Sequence, residues 1–200
     1  MQKHVTYIKS AVYPQDYPEH RLVELAVVGR SNAGKSSLIN LLCGGKIAKV
    51  SSQPGKTRLL NFFNFGNKYV LVDMPGYGFA ARAGDEVVSW QKMIESYFHS
   101  RTHLKGLLLV VDIRREWTED EEMLKRFSNE LGFPIAIALT KSDKMSRSQM
   151  LQAVAKMKKQ SGLSYVFPIS TLQKQGHKEI EDHFYENWVK GIKIEVSRES

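Results

Sequence analysis

The segment that decides the fold is GRSNAGKS at residues 29–36. A strand-like run at 22–28 leads into it, and a helix-like run at 36–42 follows it. In that setting the pattern G-x-x-x-x-G-K-[ST] predicts a phosphate-binding loop. Gly29 and Gly34 let the backbone approach phosphate oxygens, so that successive backbone N–H groups form an anion nest, and Lys35 adds a point charge for the outer phosphates.

The composition is typical of one globular domain: the 200 residues are 42% hydrophobic and 25% charged. The single cysteine, Cys43, excludes a disulfide framework and a multi-cysteine metal site. No apolar run reaches the roughly 18 residues of a membrane span, and no signal-peptide core is present, so we expect a cytoplasmic protein without a membrane partner. A net charge of +8 fits either a polyanionic partner or solubility alone.

Strand-like and helix-like runs alternate along the chain, which predicts an α/β three-layer architecture. The continuous apolar runs 107–112 and 135–139 are typical of strands buried on both faces of a parallel sheet. The runs 59–65 and 68–72 flank a Gly66-Asn67 turn and predict a hairpin. We therefore expect a mostly parallel, six-stranded sheet with one antiparallel strand.

Helix starts and domain limits also follow from local patterns. Capping-box patterns at 118–121 and 146–149 predict two helix starts, and a last helix is expected from about Lys178 to Val189. Residues 1–21, which contain two prolines, are expected to be an irregular lead-in to a domain at 22–190. Residues 191–200 are expected to be a flexible tail.

A second motif lies at the end of the apolar run 70–72, where Asp73-Met74-Pro75-Gly76 has the form D-x-x-G. An aspartate at a strand end beside a phosphate loop can hold Mg²⁺ through water, and the Ser36 hydroxyl can ligate it directly. The Gly76 backbone N–H can approach a γ-phosphate. Thr57, in the polar loop before this strand, is a possible second Mg²⁺ ligand, although Ser51 and Ser52 compete for that role.

A third motif, Thr140-Lys141-Ser142-Asp143, follows the apolar run 135–139. A carboxylate at Asp143 can accept both N1–H and the N2 amino group of guanine, which adenine lacks. The Lys141 stem can lie along the purine face. The segment Ile169-Ser170-Thr171 ends the next predicted strand, where backbone N–H groups can contact the guanine oxygen.

The order of these motifs is that of a Ras-like GTPase with a P-loop fold, and Mg²⁺ is its expected cofactor. A small-molecule kinase would share the phosphate loop but leave the T-K-x-D element unexplained. A membrane-trafficking or signalling GTPase acting on a protein partner stays open as an alternative.

The hydrolysis machinery has two unusual positions. Tyr77 directly follows D-x-x-G, where many signalling GTPases place a water-orienting glutamine, so slow intrinsic turnover is expected. Asn32 can ligate K⁺ beside the phosphates, or merely stabilise its loop by local hydrogen bonds. We predict Lys35, Gly76 and Asn32 as the catalytic residues.

The residues now carry a family resemblance. The segment GRSNAGKSSLIN at 29–40 resembles the phosphate-loop signature of the EngB (YihA/YsxC) GTPases, KVSSQPGKT at 49–57 is similar to their switch segment, and DMPGYGFA at 73–80 resembles their D-L-P-G-Y-G-Y-A. The likeness covers about residues 5–190 and extends to Trp90, Tyr97 and Arg101. Departures are Ala33, Arg58 and Thr171, where that family more often has other residues.

This resemblance implies a bacterial GTPase of late large-subunit ribosome assembly, linked to cell division and septation and expected to be monomeric. It implies Thr57 as a Mg²⁺ ligand together with Ser36 and Asp73, and a ribosomal precursor of rRNA and protein as the partner. The residues expected to bind GTP are Gly29, Arg30, Ser31, Asn32, Ala33, Gly34, Lys35, Ser36, Ser37, Gly55, Lys56, Thr57, Arg58, Asp73, Met74, Pro75, Gly76, Thr140, Lys141, Asp143, Ile169, Ser170 and Thr171.

Two basic stretches are possible RNA contacts. Residues 46–68 hold five basic residues and no acid, and residues 141–160 hold six basic residues against one acid. Either stretch can be a phosphate-binding surface or an ordinary solvated face. His99 and His103, Cys43, Trp117 and Trp188 are interpreted as structural residues rather than as metal ligands or base-stacking groups.

Overall fold

A computed structural model describes residues 4–47, 59–77, 84–192 and 194, with the backbone alone over 84–89. Its strands are β1 (Val5–Ala11), β2 (Val23–Gly29), β3 (Leu60–Phe65), β4 (Tyr69–Asp73), β5 (Leu104–Asp112), β6 (Ile135–Thr140) and β7 (Val166–Pro168). Its α-helices are α1 (Lys35–Cys43), α2 (Gly84–Ser100), α3 (Glu119–Leu131), α4 (Arg147–Ser161) and α5 (His177–His183).

The strands form one sheet in the order β1-β3-β4-β2-β5-β6-β7. β4, β2, β5, β6 and β7 pair in parallel, whereas β3 pairs antiparallel with both β1 and β4. The predicted α/β three-layer fold, with one strand running against the others, is confirmed. Within the described residues the sheet has seven strands, which corrects the expected six.

The additional strand is β1, which lies in the segment predicted to be irregular. It pairs with β3 from Val5 opposite Phe65 to Ala11 opposite Leu60, with a register shift between Tyr7 and Lys9. Thr6 to Lys9 are all exposed, so this edge strand lacks the alternation of apolar and polar residues that identifies a half-buried strand. The alternation pattern did not predict this strand because β1 is held mainly by backbone pairing with β3.

Both faces of the sheet carry a packed apolar core. On one face α2, α3 and α4 contribute buried residues such as Ile94, Leu124 and Met157. On the other face α1 and α5 contribute Leu38 and Ile180. The central strand β2 is buried along its whole length, as a parallel strand covered on both sides must be.

The C-terminal helix changes from α-helical to π-helical geometry where its aromatic residues pack into the core. The expected helix over 178–189 forms α5 and then continues as a π-helical turn over Phe184–Val189. Phe184 and Trp188 stack at 5.1 Å between ring centroids and are fully buried. The indole lies on the sheet at Gly106, where a Cβ would come within 2.3 Å of the Trp188 ring. No larger residue than glycine fits β5 at this point.

Local signals at the helix starts are confirmed. The Thr118 backbone N–H donates to the Glu121 carboxylate at 2.8 Å, and the Ser146 backbone N–H donates to the Gln149 amide oxygen at 2.9 Å. Cys43 is buried as expected. Within the described part of the chain, no helix is both long enough and apolar enough to cross a membrane.

Candidate active site

The phosphate loop joins β2 to α1 at the carboxyl end of the sheet. Gly34 precedes α1 with φ of 87°, and Asn32 has φ of 63°, so the loop contains two left-handed residues. Asparagine tolerates this conformation better than most side chains, and glycine adopts it freely. A Cβ at Gly29 would lie 2.6 Å from the Val110 carbonyl oxygen, so β5 leaves no space for a side chain there. Ser36 and Ser37 lie in the first turn of α1, where backbone N–H groups have no helical acceptor.

The first and second motifs meet through an ion pair. The Lys35 ammonium contacts the Asp73 carboxylate, and both side chains are largely buried. Because β2 and β4 are adjacent parallel strands, their carboxyl ends bring these residues together across 38 positions of sequence. The structure therefore places Asp73 beside the phosphate loop, as its strand-end position predicted.

Backbone hydrogen bonds fasten the D-x-x-G loop to the phosphate loop. The Tyr77 N–H donates to the Gly29 carbonyl at 3.2 Å, and the Ser31 N–H donates to the Tyr77 carbonyl at 2.9 Å. A Cβ at Gly76 would lie 3.0 Å from the Gly29 carbonyl oxygen. A side chain at Gly76 would therefore require the two loops to move slightly apart.

Tyr77 is turned away from solvent into the core. Its hydroxyl donates to Glu121 Oε1 at 2.6 Å, and both residues are buried. Burial and the adjacent Glu121 charge raise the pKa of Tyr77 well above its ordinary value, so the phenol stays protonated. Trp90 packs against the Tyr77 ring and donates its indole N–H to the Pro75 carbonyl at 2.9 Å. Tyr77, at the position where many signalling GTPases have a glutamine, is therefore held by contacts in the core.

The third motif closes over the phosphate loop. The Thr140 hydroxyl donates to the Ala33 carbonyl, and Lys141, with φ of 60°, donates from Nζ to the Asn32 carbonyl at 2.8 Å. Asp143 follows and accepts a 2.8 Å hydrogen bond from the Ser170 hydroxyl. Thr140 and Lys141 are thereby attached to carbonyls of the phosphate loop that lie 107 and 109 positions earlier in the sequence.

The loop after β7 is hydrogen-bonded to the third motif. The Ser142 N–H donates to the Ile169 carbonyl at 3.1 Å, and the Gln173 N–H donates to the Ser170 hydroxyl oxygen at 3.0 Å. Ile169 and Ser170 are buried, while Thr171 is partly exposed. Ser170 therefore orients the Asp143 carboxylate, a contact that its sequence position alone did not reveal.

Several predicted residues are not placed. Ser51 and Ser52, and the predicted GTP-binding residues Gly55, Lys56, Thr57 and Arg58, lie outside the described residues. The choice of Thr57 over its serine neighbours as a metal ligand therefore stays a prediction.

Two residues that resembled the family pattern lie far from the phosphate loop. Tyr97 and Arg101 both bind the fully buried carboxylate of Glu24, at the amino end of β2. His103 lies beyond the end of α2, and its ring packs against that of His20 at 5.3 Å. These residues join α2 and the segment after it to β2 and to the segment before β2, at the end of the strand opposite the phosphate loop.

Sequence reasoning missed Asp112 and Arg114, which follow one another closely at the end of β5. Asp112 Oδ2 lies 2.9 Å from Lys141 Nζ. In the sequence Asp112 is the last residue of an apolar run, and this strand-end position matches that of Asp73. That shared position was the signal available in the sequence.

Known proteins share these motifs and this fold. A family model described as "50S ribosome-binding GTPase" matches residues 24–141. A probable GTP-binding protein EngB from Bdellovibrio bacteriovorus is 65% identical over 190 residues, with 95% of each chain covered. This chain belongs to the EngB family of GTP-binding proteins. It is a GTPase with a P-loop fold, and the EngB resemblance predicted from its motifs is confirmed.

More distant EngB proteins and solved structures agree. The probable GTP-binding protein EngB of Alkaliphilus metalliredigens is 43% identical, with 90% of each chain covered. A crystal structure of a probable GTP-binding protein engB superposes with a TM-score of 0.65 at 25% identity, covering 82% of this chain and 97% of that one. Aquifex aeolicus Era bound to GDP and AlF4⁻ gives a TM-score of 0.67 at 26% identity, covering 88% of this chain and 60% of Era.

Proposed function

We propose that this EngB-family GTPase is a nucleotide-dependent switch in late assembly of the large ribosomal subunit, acting in the cytoplasm and needed for normal cell division and septation. The observation that carries the proposal is the match over residues 24–141 to a family described as a 50S ribosome-binding GTPase. The net charge of +8 is the physical property that suits a ribosomal RNA partner.

The structure divides the basic residues of the 141–160 stretch into two groups. Lys141 and Lys156 are engaged, the first with Asp112 and the second with Glu116. The other members are exposed and form no ion pair with another described residue; they are Lys144, Arg147, Lys158 and Lys159. We call these four residues the α4 basic surface, and we propose that it contacts rRNA phosphates.

The α4 basic surface has charges at both ends of the helix. Arg147 and Lys158 are 11 residues apart, about three turns at 3.6 residues per turn, so they project from the same face. The surface also begins beside the base pocket, since the Lys144 N–H donates to the Lys141 carbonyl at 3.0 Å. A change in the pocket can therefore be transmitted to α4 through one turn of backbone.

Sedimentation with large-subunit precursors tests the proposal. Binding should be stronger with a non-hydrolysable GTP analogue than with GDP or without nucleotide. It should fall steeply with salt, because each phosphate contact adds about 0.7–0.9 to the slope of log affinity against log salt. The double variant Lys158→Gln/Lys159→Gln should lower both affinity and slope, whereas Lys156→Gln, which removes an engaged lysine, should change them less.

The result also separates the competing function. A protein that ignores ribosomal particles in every nucleotide state would be a signalling GTPase acting on a protein partner without rRNA contact. Equal binding in the GTP and GDP forms would remove the switch from the proposal.

For the nucleotide itself, we propose that Asp143 reads the guanine edge and that Ser170 holds its carboxylate in place. Asp143→Asn replaces an acceptor by an amide that can donate to the 2-oxygen of xanthine. We expect GTP affinity to fall by about 10²-fold or more and xanthosine triphosphate to bind better. Unchanged GTP preference would show that another group recognises the base.

For the metal, the oxygen donors present fit Mg²⁺. Asp73 places a carboxylate and Ser36 a hydroxyl at the phosphate loop, and hard oxygen ligands are those that Mg²⁺ prefers. We propose that Ser36 and Thr57 hold the ion directly and that Asp73 holds it through water. Bound Mg²⁺ would neutralise charge that develops on the transferred phosphate.

For hydrolysis, we propose slow intrinsic turnover. The hydrogen bond from Tyr77 to Glu121 commits the side chain after D-x-x-G to the core, so it does not orient a water. Lys35 and the Gly76 N–H would then stabilise phosphate charge, with Asn32 adding K⁺ as a third contributor.

A further inference from the structure

The ammonium of Lys141 is held between two acceptors from different parts of the chain. Nζ donates to the Asn32 carbonyl of the phosphate loop at 2.8 Å and lies 2.9 Å from Asp112 Oδ2 at the end of β5. Lysine has a flexible four-carbon stem, so two fixed acceptors restrict it far more than one.

Asp112 is itself fixed by Arg114. The Arg114 backbone N–H and Nε donate to Oδ1 at 3.1 and 2.9 Å, and its terminal nitrogen donates to Oδ2 at 2.6 Å. Burial alone would raise the pKa of Asp112, but hydrogen bonds from Arg114 and Lys141 outweigh it and hold the pKa well below its ordinary value. The carboxylate is therefore charged throughout the physiological range.

Strand pairing fixes the position of the Asp112 carboxylate relative to Lys141. Asp112 pairs with Thr140 in the β5–β6 register, and the Ile113 N–H donates to the Thr140 carbonyl at 3.0 Å. Asp112 thus lies one residue before Lys141 in the register of adjacent parallel strands. The contact is a consequence of strand pairing, not of a flexible surface encounter.

We infer that Asp112 is a positioning residue for guanine-nucleotide binding: it holds the Lys141 ammonium at the Asn32 carbonyl, so that the lysine stem covers the purine face. Arg114 supports it by fixing the carboxylate. The inference rests on the proposed place of Lys141 in the base pocket. The Lys141 side chain is 32% exposed, so its ion pair with Asp112 adds little net stability, and its benefit is expected in ligand binding rather than in folding.

Dissociation of a fluorescent GDP analogue, followed by stopped flow, tests this inference. Asp112→Asn keeps the size of the side chain and removes its charge, and it should speed dissociation about tenfold. Arg114→Gln should have a smaller effect in the same direction. Glu116 lies in the same loop as Arg114, and its exposed side chain contacts Lys156 of α4. Glu116→Gln, which breaks that contact, is the matched control and should leave the rate unchanged.

A double-mutant cycle shows whether Asp112 acts through Lys141. Lys141→Met should also speed dissociation, and Asp112→Asn/Lys141→Met should be no faster than Lys141→Met alone. Competition by inorganic pyrophosphate, which has no base, should be unchanged in Asp112→Asn because the phosphate loop is intact.

Failures of the two ideas are distinguishable. If Lys141→Met releases GDP at the wild-type rate, the proposed base pocket is wrong. If Lys141→Met is fast but Asp112→Asn is not, or if the two effects add, the positioning role of Asp112 is overturned. Weaker pyrophosphate competition in Asp112→Asn would likewise overturn it, since that result reports general damage to the site.

Discussion

The Tyr77 hydroxyl donates a 2.6 Å hydrogen bond to the Glu121 carboxylate across 44 residues of sequence. Glu121 also accepts from the Thr118 backbone N–H at the start of α3. One buried carboxylate therefore joins the residue after D-x-x-G to the first turn of a helix.

Removing this hydroxyl should destabilise the protein. Tyr77→Phe leaves a buried carboxylate oxygen without its donor, which costs about 1–3 kcal/mol. Urea unfolding of the nucleotide-free protein measures the loss. Tyr13→Phe, at a tyrosine that is 60% exposed, is the control and should change the free energy of unfolding little. Equal effects of the two changes would mean that the Glu121 contact contributes nothing to stability.

The buried carboxylate of Glu24 should make the free energy of unfolding depend on pH in the acid range. Burial alone would raise the pKa of Glu24, but hydrogen bonds from His20, Arg101 and Tyr97 outweigh it and hold the pKa below its ordinary value of 4.5. Its stabilisation is thus present above about pH 4.5 and is lost as the pH falls through the lower folded-state value.

Unfolding measured from pH 7 down to pH 3 tests this sign. Stability of the wild type should fall in that acid window, and Glu24→Gln should be less stable at pH 7 but less sensitive to acid. Arg101→Met should cost up to about 3–5 kcal/mol at pH 7, since the buried carboxylate then keeps only His20 and Tyr97 as partners. Glu186→Gln, at an exposed pair with Lys190, should keep the wild-type pH profile.

Gly29→Ala should damage nucleotide binding. The new methyl group would meet the Val110 carbonyl oxygen at 2.6 Å, so the phosphate loop or β5 must shift. We expect at least a tenfold loss of GDP affinity, measured by calorimetry. Gly45→Ala is the matched control, because nothing lies within 4 Å of its added Cβ. Wild-type affinity in Gly29→Ala would show that the loop adapts without cost.

Hydrolysis should be faster in K⁺ than in Na⁺, by about tenfold if Asn32 places the ion near the phosphates. Asn32→Gly tolerates the observed φ of 63° yet removes the side-chain oxygen, so it should abolish the difference between the cations. Phosphate release in matched chloride buffers measures both rates. Identical turnover of the wild type in the two buffers would remove K⁺ from the mechanism.

The parts of the site that sequence could predict are those encoded locally. The phosphate loop, Asp73 and Asp143 each follow a strand, and parallel strands bring their carboxyl ends to one edge. The contact of Asp112 with Lys141 depends on which strands are neighbours, and that of Tyr77 with Glu121 joins distant segments. The strand-end position of Asp112 is visible in the sequence, but neither contact has a local pattern. β1 was not predicted for a related reason. It forms by pairing with β3, and its own residues lack the apolar–polar alternation of a strand.

The contact between Gly106 and Trp188 has a consequence for how the chain is made. The N-terminal part of a protein leaves the ribosome first, so β5 emerges well before residue 188 has been synthesised. Until then the gap at Gly106 has no indole to fill it, and one face of the sheet keeps exposed apolar surface. The domain therefore cannot complete its core during synthesis of its phosphate loop and base pocket, and must finish folding only when its last helical turn has appeared.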